Sequence, residues 1–491
     1  MGKRKMKAES QKANNQKANN TEQANDAGKI PEPPQGWQRF VWLGPGFLWM
    51  VSAAGSGEML FTPRVAAQYG YALLWALLAA VILKWFINRE VGRFAVCTGA
   101  TVLEGFRRLP GPKNWAVWVI VVPQLVVAAA SLAGLAAAAA TALILVLPGD
   151  VRLWMIISIC ASTALVLYGK YKGLEWTARI LAVVLAVASL AAAISVFPSV
   201  NELLSGLIPR VPAGVDYGEI LPWLGYMLSG AAGMMWYSYW VTAKGYGAAG
   251  RNKKAKKDEK TESENAEDDN SNSEFLDPKK LDEAERKKLG GWLTQMSLDT
   301  TVAVIGALII TIAFLILGAE LLRPRGLVPE ENRVAETLGV LLGGVFGAVG
   351  YWFMIFAVFI GFWDTVLSDQ DGHGRLQANG TRILSEGFGL KGKWTNEKFL
   401  KKAFVVVLVT LIPIALYLIF GEPITLLKIA GAIEAAHIPV VTGLMLYLNH
   451  RTLPADLRPS WFAFAVTALA GLFFAAFAVI YLVSLIAPDA V

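Results

Sequence analysis

Long apolar stretches recur along the chain from about residue 41 to residue 487, and they limit its possible folds more than any other feature. Most of them approach or exceed the roughly 20 residues that a helix needs to cross the hydrocarbon core of a bilayer. Hydrophobic residues make up 55% of the chain and charged residues 17%. In soluble domains about a quarter of all residues are charged. Because lipid cannot satisfy exposed backbone groups, such stretches form helices. The sequence therefore predicts an all-α integral membrane protein.

The number and direction of the spans follow from the apolar stretches and from the loops between them. We predict eleven transmembrane helices, at 41–62, 70–94, 114–147, 152–168, 177–198, 221–247, 292–318, 338–366, 402–420, 424–448 and 461–487. Lys and Arg are concentrated on one side, with 36 in one set of loops and tails and 5 in the other. Basic loops stay in the cytoplasm. This bias predicts a multi-pass plasma-membrane protein with a cytoplasmic N-terminus and an external C-terminus.

Two polar segments are predicted to be disordered. The N-terminal tail, 1–40, contains a QKANN-QKANN repeat and no apolar region of the kind that signal peptides have. The second segment, 250–290, is a charged cytoplasmic insert, either a solvated loop or a regulatory element. Because the basic residues lie in tails and alternate loops, their distribution indicates membrane orientation and not a nucleic-acid partner.

Two segments of the chain resemble each other and predict an internal repeat. Residues 44–57 read GPGFLWMVSAAGSG and residues 221–234 read LPWLGYMLSGAAGM, with Pro, Met and Ser at the same three places. Both then enter small residues before the helical pattern resumes. Matching glycine-interrupted helices indicate a secondary transporter with inverted repeats and a binding site near the midplane. We predict an inverted repeat of spans 1–5 (41–200) and 6–10 (201–450), broken helices 1 and 6, and span 11 with the C-terminus in 451–491.

The stretch AAGSGEML, residues 53–60, is the first candidate for that site. Its glycines allow the helix to unwind, which exposes carbonyl and amide groups that only a buried or watery site can satisfy. A carboxylate at membrane depth is costly and indicates a functional site by default. We therefore predict that Gly55, Ser56, Gly57 and Glu58 form one wall of a binding site. The corresponding glycine-rich stretch of span six supplies its other wall, at Gly230 and Ala231.

Several stretches resemble the Nramp family of proton-coupled divalent-metal transporters. The longest is GPGFLWMVSAAGSGEMLFTPRVAAQYGYALLW, at 44–75, which is similar to the family's first span and the start of its second. SLDTTVA (297–303), FWDTVLSDQDGHGRL (362–376) and IEAAHIPVVTGLMLYLNHRTLPADLRP (433–459) resemble spans seven, eight and ten. The resemblance implies a five-plus-five inverted repeat, alternating access and a divalent cation as the transported substrate, with no other cofactor. Protons are a further implied partner.

The sequence departs from the family pattern at the ligand positions. Gly-Ser-Gly-Glu at 55–58 stands where the family has Asp-Pro-Gly-Asn, so the aspartate ligand is missing. In span six the family's Met-Pro-His-Asn falls on residues 234–237, and only Met234 is retained as a thioether ligand. Trp236 and Tyr237, which follow it, either shape a pocket or belong to an ordinary aromatic core. Span three carries no acidic residue. The resemblance therefore implies a divergent branch of the family.

Five further polar residues in or beside the spans have a functional and a structural interpretation. Lys84 lies midway along span two, where a fixed cation either pairs with the nearby carboxylate or replaces a bound cation. Asp299 opens span seven as either a gate or a helix-start charge. Glu434 and His437 share a face of span ten, which suits either proton relay or packing. Asp364 either lines a vestibule or is solvated at a loop end.

These observations predict a secondary transporter of divalent cations of the Mn, Fe or Mg class, with Glu58 at its site. A carboxylate with backbone carbonyls suits hard cations, and a methionine sulfur favours softer ones. A symporter of an amino acid or amine and a non-transporting membrane sensor are the alternatives. The chain contains no P-loop, dinucleotide-binding glycines, nucleophile elbow or HExxH motif, so we do not expect an enzyme.

Overall fold

The computed structural model describes residues 29–168, 172–252 and 275–486, and the side chains of 51–56 and 172–179 lie outside this description. Within these ranges every regular element is helical, and no strand occurs. The all-helical fold class is therefore confirmed.

Eleven α-helices precede the charged insert in the described part of the chain. They are α1 (Gln38–Val41), α2 (Pro45–Ala53), α3 (Thr62–Tyr69), α4 (Leu74–Thr98), α5 (Val102–Phe106), α6 (Trp115–Leu143), α7 (Val151–Tyr168), α8 (Lys172–Ser195), α9 (Val200–Ser205), α10 (Tyr217–Tyr226) and α11 (Ala231–Lys244). A π-helical segment, Ala54–Phe61, joins α2 to α3.

Six further α-helices follow the charged insert in the described part of the chain. They are α12 (Glu283–Leu317), α13 (Val334–Gly387), α14 (Glu397–Val406), α15 (Ile412–Phe420), α16 (Pro423–Thr452) and α17 (Trp461–Ile486). Further π-helical turns cover Gly318–Leu322 and Val407–Leu411, and short 3₁₀ turns cover Pro278–Lys280, Arg323–Arg325, Glu331–Arg333, Gly392–Thr395 and Ala455–Leu457.

Seven helical segments of the described chain are long and apolar enough to cross a membrane. They are Trp115–Leu143, Val151–Tyr168, Glu283–Arg325, Glu331–Gly387, Glu397–Phe420, Pro423–Thr452 and Trp461–Ile486. The other four predicted spans coincide with elements that are interrupted, charged or shorter. Among these, α4 carries several charged residues and the apolar part of α8 covers Ile180–Ser195. These segments support a multi-pass membrane protein.

The first predicted span is not broken, which corrects the prediction for helix 1. The chain stays helical from α2 to α3 because the turns over Ala54–Phe61 widen into a π-helix. A π-helix closes its hydrogen bonds five residues apart, so backbone groups remain bonded within the segment, as a lipid-depth position requires. The carbonyl oxygen of Gly57 also accepts a hydrogen bond from Thr62 Oγ1 at 3.0 Å. Glycines here widen the helix instead of interrupting it.

The eighth predicted span is longer than the sequence indicated. Helix α13 has 54 residues and contains one non-helical position, Gly347, with φ 64°. An unkinked helix of that length would measure about 80 Å, far more than a bilayer. Beyond the predicted end at residue 366 the helix continues to Gly387, and it places Asp369 and His373 inside the protein. Asp364 consequently lies within a helix and not at a loop end.

Part of the predicted N-terminal tail packs against the helices, which differs from the predicted disorder. Ile30 is buried, and the indole Nε1 of Trp292 donates a hydrogen bond to the carbonyl oxygen of Pro31 at 2.9 Å. An apolar side chain and a satisfied indole together fix this stretch on α12. Residues 1–28 lie outside the described residues.

The charged insert is also shorter than predicted. Leu276 N donates to the carbonyl oxygen of Thr98 at 2.9 Å, and α12 already begins at Glu283. Asp282 caps this helix, because its Oδ1 accepts from the amide of Glu285 at 2.7 Å. The remainder of the predicted loop, 253–274, lies outside the described residues.

Helix α6 lies at the centre of the packing, against α13 and α16. Its second half is rich in alanine, and Ala136–Ala140 are fully buried. Small residues let helices approach closely where lipid provides no hydrophobic driving force between them. At Gly134 a Cβ atom would lie 2.6 Å from the carbonyl oxygen of Pro423 and 2.5 Å from Leu427 Cγ, so α6 and α16 are in contact there.

We expect Gly134→Ala to lower the free energy of unfolding by about 1–3 kcal/mol, because the added methyl group overpacks the α6–α16 contact. Gly443→Ala is the matched control, since nothing lies within 4 Å of a Cβ at that position of α16. The measurement is thermal unfolding in detergent for both variants and the wild type. Equal stability of the two variants would contradict the close packing of α6 on α16.

Candidate functional site

The predicted sixth span is interrupted between α10 and α11, and this interruption organises the candidate site. Leu228 and Ser229 have φ of 54° and 71°, in the left-handed region that residues other than glycine rarely adopt. Such positions cost about 1–3 kcal/mol each and persist only where surrounding contacts impose them. Three charged side chains from other elements supply those contacts.

The first is Lys84 of α4, whose side chain is fully buried. Its Nζ donates hydrogen bonds to three carbonyl oxygens, those of Gly225 at 2.6 Å, Met227 at 2.5 Å and Ser229 at 2.9 Å. These carbonyls have lost their helical partners because α10 ends here. An ammonium group has three donors and no acceptor, so the cage satisfies it completely.

The second is Glu58 of the π-helical segment, which is 3% exposed. Its Oε1 accepts a hydrogen bond from the amide of Leu228 at 3.2 Å. Gly57 makes this approach possible, since a Cβ there would lie 2.9 Å from the carbonyl oxygen of Tyr226. In the described parts of the chain no donor reaches Oε2 of Glu58. One carboxylate oxygen therefore holds the turn while the other lacks a hydrogen bond.

The third is Glu434 of α16, whose Oε2 accepts from the amide of Ala232 at 3.1 Å, in the first turn of α11. A carboxylate at a helix N-terminus is favourable because the first amides lack partners and the dipole is positive there. Gln124 of α6 lies beside this carboxylate and also contacts His437, with 3.2 Å between its Nε2 and the histidine Nδ1. The structure thus brings Glu434 and His437 together through Gln124.

A cavity of about 130 Å³ lies next to Glu58. Its walls come from α2, the π-helical segment, α8, α12 and α13, and they include Asp364 and the thioethers of Met50 and Met59. The other lining residues are apolar. Two carboxylates and two sulfur atoms are therefore the polar or polarizable groups among the lining side chains.

A wider cleft of about 770 Å³ lies between α2, α11 and α12. Phe47 and Met50 line both this cleft and the cavity beside Glu58, so the two spaces are neighbours. Asp299 and Lys244 line the cleft as well. The cleft thus lies next to the cavity, on the side where α2 begins.

Asp299, on α12, caps the start of a different helix, α2. This role differs from the predicted helix-start charge of its own span. Its carboxylate accepts from the amides of Gly44 at 2.8 Å and Gly46 at 2.6 Å, where α2 begins. Because α12 starts sixteen residues earlier, at Glu283, Asp299 does not stand at the start of its own helix. The aspartate instead joins the cleft-side end of α2 to the middle of α12.

A largely buried ionic cluster joins the first turn of α3 to α10 and α16. Arg64 donates to both carboxylate oxygens of Glu219, at 2.8 Å from Nε and 2.7 Å from Nη2, and also to the carbonyl oxygen of Pro329. Lys428 pairs with the same carboxylate. Bidentate arginine–carboxylate pairs are geometrically specific. We call Arg64, Glu219 and Lys428 the outer cluster.

The remaining predicted site residues are not all gathered at Glu58. Met234 is fully buried in α11 and is not among the residues that line either space. Trp236 packs on His373, with 4.9 Å between ring centroids, and Tyr237 packs on Trp49 at 6.2 Å. The aromatic pair thus belongs to the core around α11.

The first glycine-rich wall is described only through its backbone. The main chain of Gly55 and Ser56 lies in the π-helical segment, and the side chain of Ser56 lies outside the described residues. Gly230 is the N-cap of α11 and lies beside the Glu434 carboxylate, and Ala231 is the first residue of that helix.

Side chains that could complete a metal site are few. Among the residues that the structure describes, no three His, Cys, Asp or Glu side chains converge in a way that could hold a metal ion. A cation at Glu58 would therefore rely on carboxylates in pairs, on thioethers, on backbone carbonyls and on water.

Sequence reasoning missed the outer cluster, Gln124 and Asp369 of α13. Asp369 is buried and acts electrostatically on Glu434. Arg64 and Glu219 stand 155 residues apart, so only the fold reveals their pairing. The available signal was the charge of each residue at the edge of an apolar stretch.

Comparisons with known proteins identify the relatives of this chain. The sequence profile of the family described as natural resistance-associated macrophage protein-like, or Nramp, matches residues 46–484. An uncharacterized protein of Pasteurella multocida is 26% identical over 185 residues, which cover 38% of this chain and 41% of that protein. The divalent metal cation transporter MntH of Chromohalobacter salexigens is 29% identical over 94 residues, covering 19% of this chain and 22% of the relative. These alignments thus span less than half of either relative.

The fold also has a solved counterpart. The chain is similar to a crystallised manganese transporter of Eremococcus coleocola, with a TM-score of 0.66 and 14% identity, over 95% of this chain and 92% of that one. At this identity the likeness establishes the shared fold.

We expect Asp299→Ala to lower the free energy of unfolding by about 2 kcal/mol, because the amides of Gly44 and Gly46 lose a buried charged acceptor. Asp299→Asn keeps one acceptor oxygen, so its free energy of unfolding should lie between those of Asp299→Ala and the wild type. Asp150→Ala is the control, since Asp150 caps Leu153 at an exposed helix start, where a cap contributes about 1 kcal/mol. The measurement is thermal unfolding in detergent of the three variants and the wild type. A smaller effect at Asp299 than at Asp150 would contradict the capping role.

Proposed function

This chain belongs to the Nramp family, and from that premise we propose that it is a secondary transporter that moves divalent cations of the Mn, Fe or Mg class across a membrane. Its relative in Chromohalobacter salexigens carries the name of a divalent metal cation transporter, and its structural counterpart that of a manganese transporter. Family and fold point to transport and not to an enzyme.

One observation carries the proposal. Glu58 is a buried carboxylate that lines the cavity of about 130 Å³, and its Oε2 has no donor in the described parts of the chain. A carboxylate oxygen at membrane depth without a partner is costly, and a cation in the cavity would remove that cost. Asp364 and the thioethers of Met50 and Met59 lie along the same walls and would complete the contacts. A carboxylate–thioether set suits Mn²⁺ or Fe²⁺ better than Mg²⁺.

The arrangement of spaces supports alternating access. The outer cluster ties α3, α10 and α16 together on one side of Glu58, and the wide cleft approaches it on the other side. This pattern fits a conformation that is closed outside and open towards the cytoplasm. We propose eleven spans with inverted repeats of spans 1–5 and 6–10, a cytoplasmic N-terminus, and rocking of one bundle against the other in the plasma membrane.

Coupling to protons is part of the proposal. Glu434 and His437 are joined through Gln124, and Asp369 acts on the same carboxylate. Buried acids and a histidine in contact form a proton relay in many membrane transporters. Glu434 also holds the start of α11, so a proton on it would loosen one contact of the interrupted helix.

A symporter of a small organic cation is the second candidate. Most lining residues of the cavity are apolar, including Phe47 and Phe314, and no cluster of three ligating side chains occurs in the described chain. An amine could place its charge against Glu58 and its carbon atoms against these walls.

We expect proteoliposomes with the wild-type protein to take up Mn²⁺, and Glu58→Gln to reduce that uptake roughly tenfold or more, because a charged ligand contributes at least about 1.4 kcal/mol. Glu336→Gln is the matched control, since Glu336 is partly exposed, with 44% of its side chain accessible, and forms an ion pair only with Arg333 among the described residues. Uptake is measured with and without an inward proton gradient.

Each result of this assay has a clear meaning. Stimulation by the gradient would support proton coupling, and its absence would remove that part of the proposal. If the wild type moves neither Mn²⁺, Fe²⁺ nor Mg²⁺, metal transport is wrong, and uptake of amines and amino acids by the same liposomes tests the second candidate. Equal losses in Glu58→Gln and Glu336→Gln would contradict a site at Glu58.

We expect Glu219→Gln to weaken the outer cluster and favour opening on the external side, because Arg64 and Lys428 lose their shared charged partner. The reporter is Thr62→Cys, a buried position between Glu58 and Arg64, in a Cys160→Ser background. Labelling by an impermeant thiol reagent from outside should become several-fold faster in Glu219→Gln and stay unchanged in Glu336→Gln. Unchanged labelling in both would argue against an outer gate.

A further inference from the structure

The three carbonyl oxygens around Lys84 Nζ form a cage of the kind that binds a free cation. All three belong to the interrupted stretch of the sixth span, at Gly225, Met227 and Ser229, and lie 2.5–2.9 Å from the nitrogen. Backbone carbonyls that converge in this way replace the hydration shell of a monovalent ion in membrane proteins. Here the charge that fills the cage is covalently attached to α4.

The rest of the surroundings also suits a cation. The ring of Phe474, on α17, lies 5.4 Å from Nζ, within the range of a cation–π contact. Glu58 and Glu434 both act electrostatically on Lys84. Four elements besides α4 therefore provide acceptors, a π face and negative charge around a single positive centre.

The neighbouring carboxylates do not form a direct ion pair with Lys84, which separates this arrangement from an ordinary buried salt bridge. Within the described chain, the hydrogen bonds of Nζ go to carbonyls, while Glu58 binds the amide of Leu228 and Glu434 that of Ala232. Each group thus satisfies backbone of the interrupted helix. Removing the ammonium would leave three carbonyl oxygens around a vacated space on which the charges of two nearby carboxylates also act.

We propose that Lys84 is a built-in cation that occupies a monovalent-cation site of the interrupted helix, and that the site accepts a free NH₄⁺ or K⁺ when the lysine side chain is removed. The wild-type protein consequently needs no inorganic monovalent ion at this position. Lys84 is a positioning residue, since it fixes the turn that presents Leu228 to Glu58. The proposal does not depend on which substrate the transporter moves.

The test compares the thermal stability of Lys84→Ala in NH₄Cl, KCl, NaCl and choline chloride at equal ionic strength. We expect NH₄⁺ or K⁺ to raise the Tm of this variant in a saturable way, by roughly 2–4 °C per kcal/mol of binding. Choline is too large for the cage and should have no effect. The wild type, whose cage is filled, should show no such difference between the salts.

Two control variants separate cation binding from a general salt effect. Lys84→Met fills the same space with an uncharged chain, so the salts should not differ in their effect on it. Lys428→Ala removes a lysine that pairs with the Glu219 carboxylate and not with a carbonyl cage. The Tm of this variant should therefore be the same in NH₄⁺, K⁺ and choline salts. A rise in Tm of similar size in Lys84→Ala and Lys428→Ala would overturn the proposal, as would identical behaviour of Lys84→Ala in all four salts.

A second measurement covers the case in which Lys84→Ala does not fold. The wild-type protein is exchanged into choline chloride free of Na⁺, K⁺ and NH₄⁺, and its Tm and its uptake of Mn²⁺ are measured. We expect both to stay as they were in KCl. A loss of stability that added K⁺ restores would show that a free ion occupies the cage, which contradicts a built-in cation. Lack of Mn²⁺ uptake in every buffer would instead count against the proposed substrate.

Discussion

The hydrogen bonds of one buried ammonium group to the interrupted sixth span hold the centre of this protein together. Without a counter-charge, the end of α10 would leave unsatisfied carbonyls deep inside the helix bundle. Lys84 satisfies three of them, and Glu58 and Glu434 hold amides of Leu228 and Ala232. Three elements distant in sequence therefore stabilise a turn that contains two residues with positive φ. The interruption is a property of the whole bundle and not of its local sequence.

This arrangement divides the polar groups of the site between those that hold the structure and those available for the proposed transport. The carbonyls of the interrupted helix and one oxygen of Glu58 are engaged within the protein. The second oxygen of Glu58 has no donor among the described residues, and Glu58 lines the cavity together with Asp364 and two methionines. In this divergent chain the substrate would meet the widened first span more than the interrupted sixth. The absence of the family's aspartate ligand at 55–58, and of its proline and histidine at 234–237, is consistent with such a shift.

Much of the fold, but a smaller part of the site, could be predicted from the sequence. Apolar stretches predicted the helices because membrane spans are long and uniform. Glu58 and Lys84 were predicted as candidate functional residues because charged side chains are rare at membrane depth. The helical geometry of the first span could not be predicted, since the same glycines permit both an unwound turn and the π-helix at Ala54–Phe61. The partners of Lys84 lie 141–145 residues away. Asp299 likewise caps a helix 253–255 residues away, and such pairings exist only once the helices have packed.

The covalent attachment of the Lys84 ammonium to α4 has an electrical consequence. An ion that enters a carbonyl cage from one solution and leaves to the other carries one elementary charge through the membrane potential, which amounts to about 2.3 kcal/mol for every 100 mV. A tethered ammonium returns to its starting position at the end of every cycle, so it transfers no net charge however far it moves in between. The voltage therefore acts on a complete turnover only through species that dissociate, and Lys84 contributes nothing to a steady-state current.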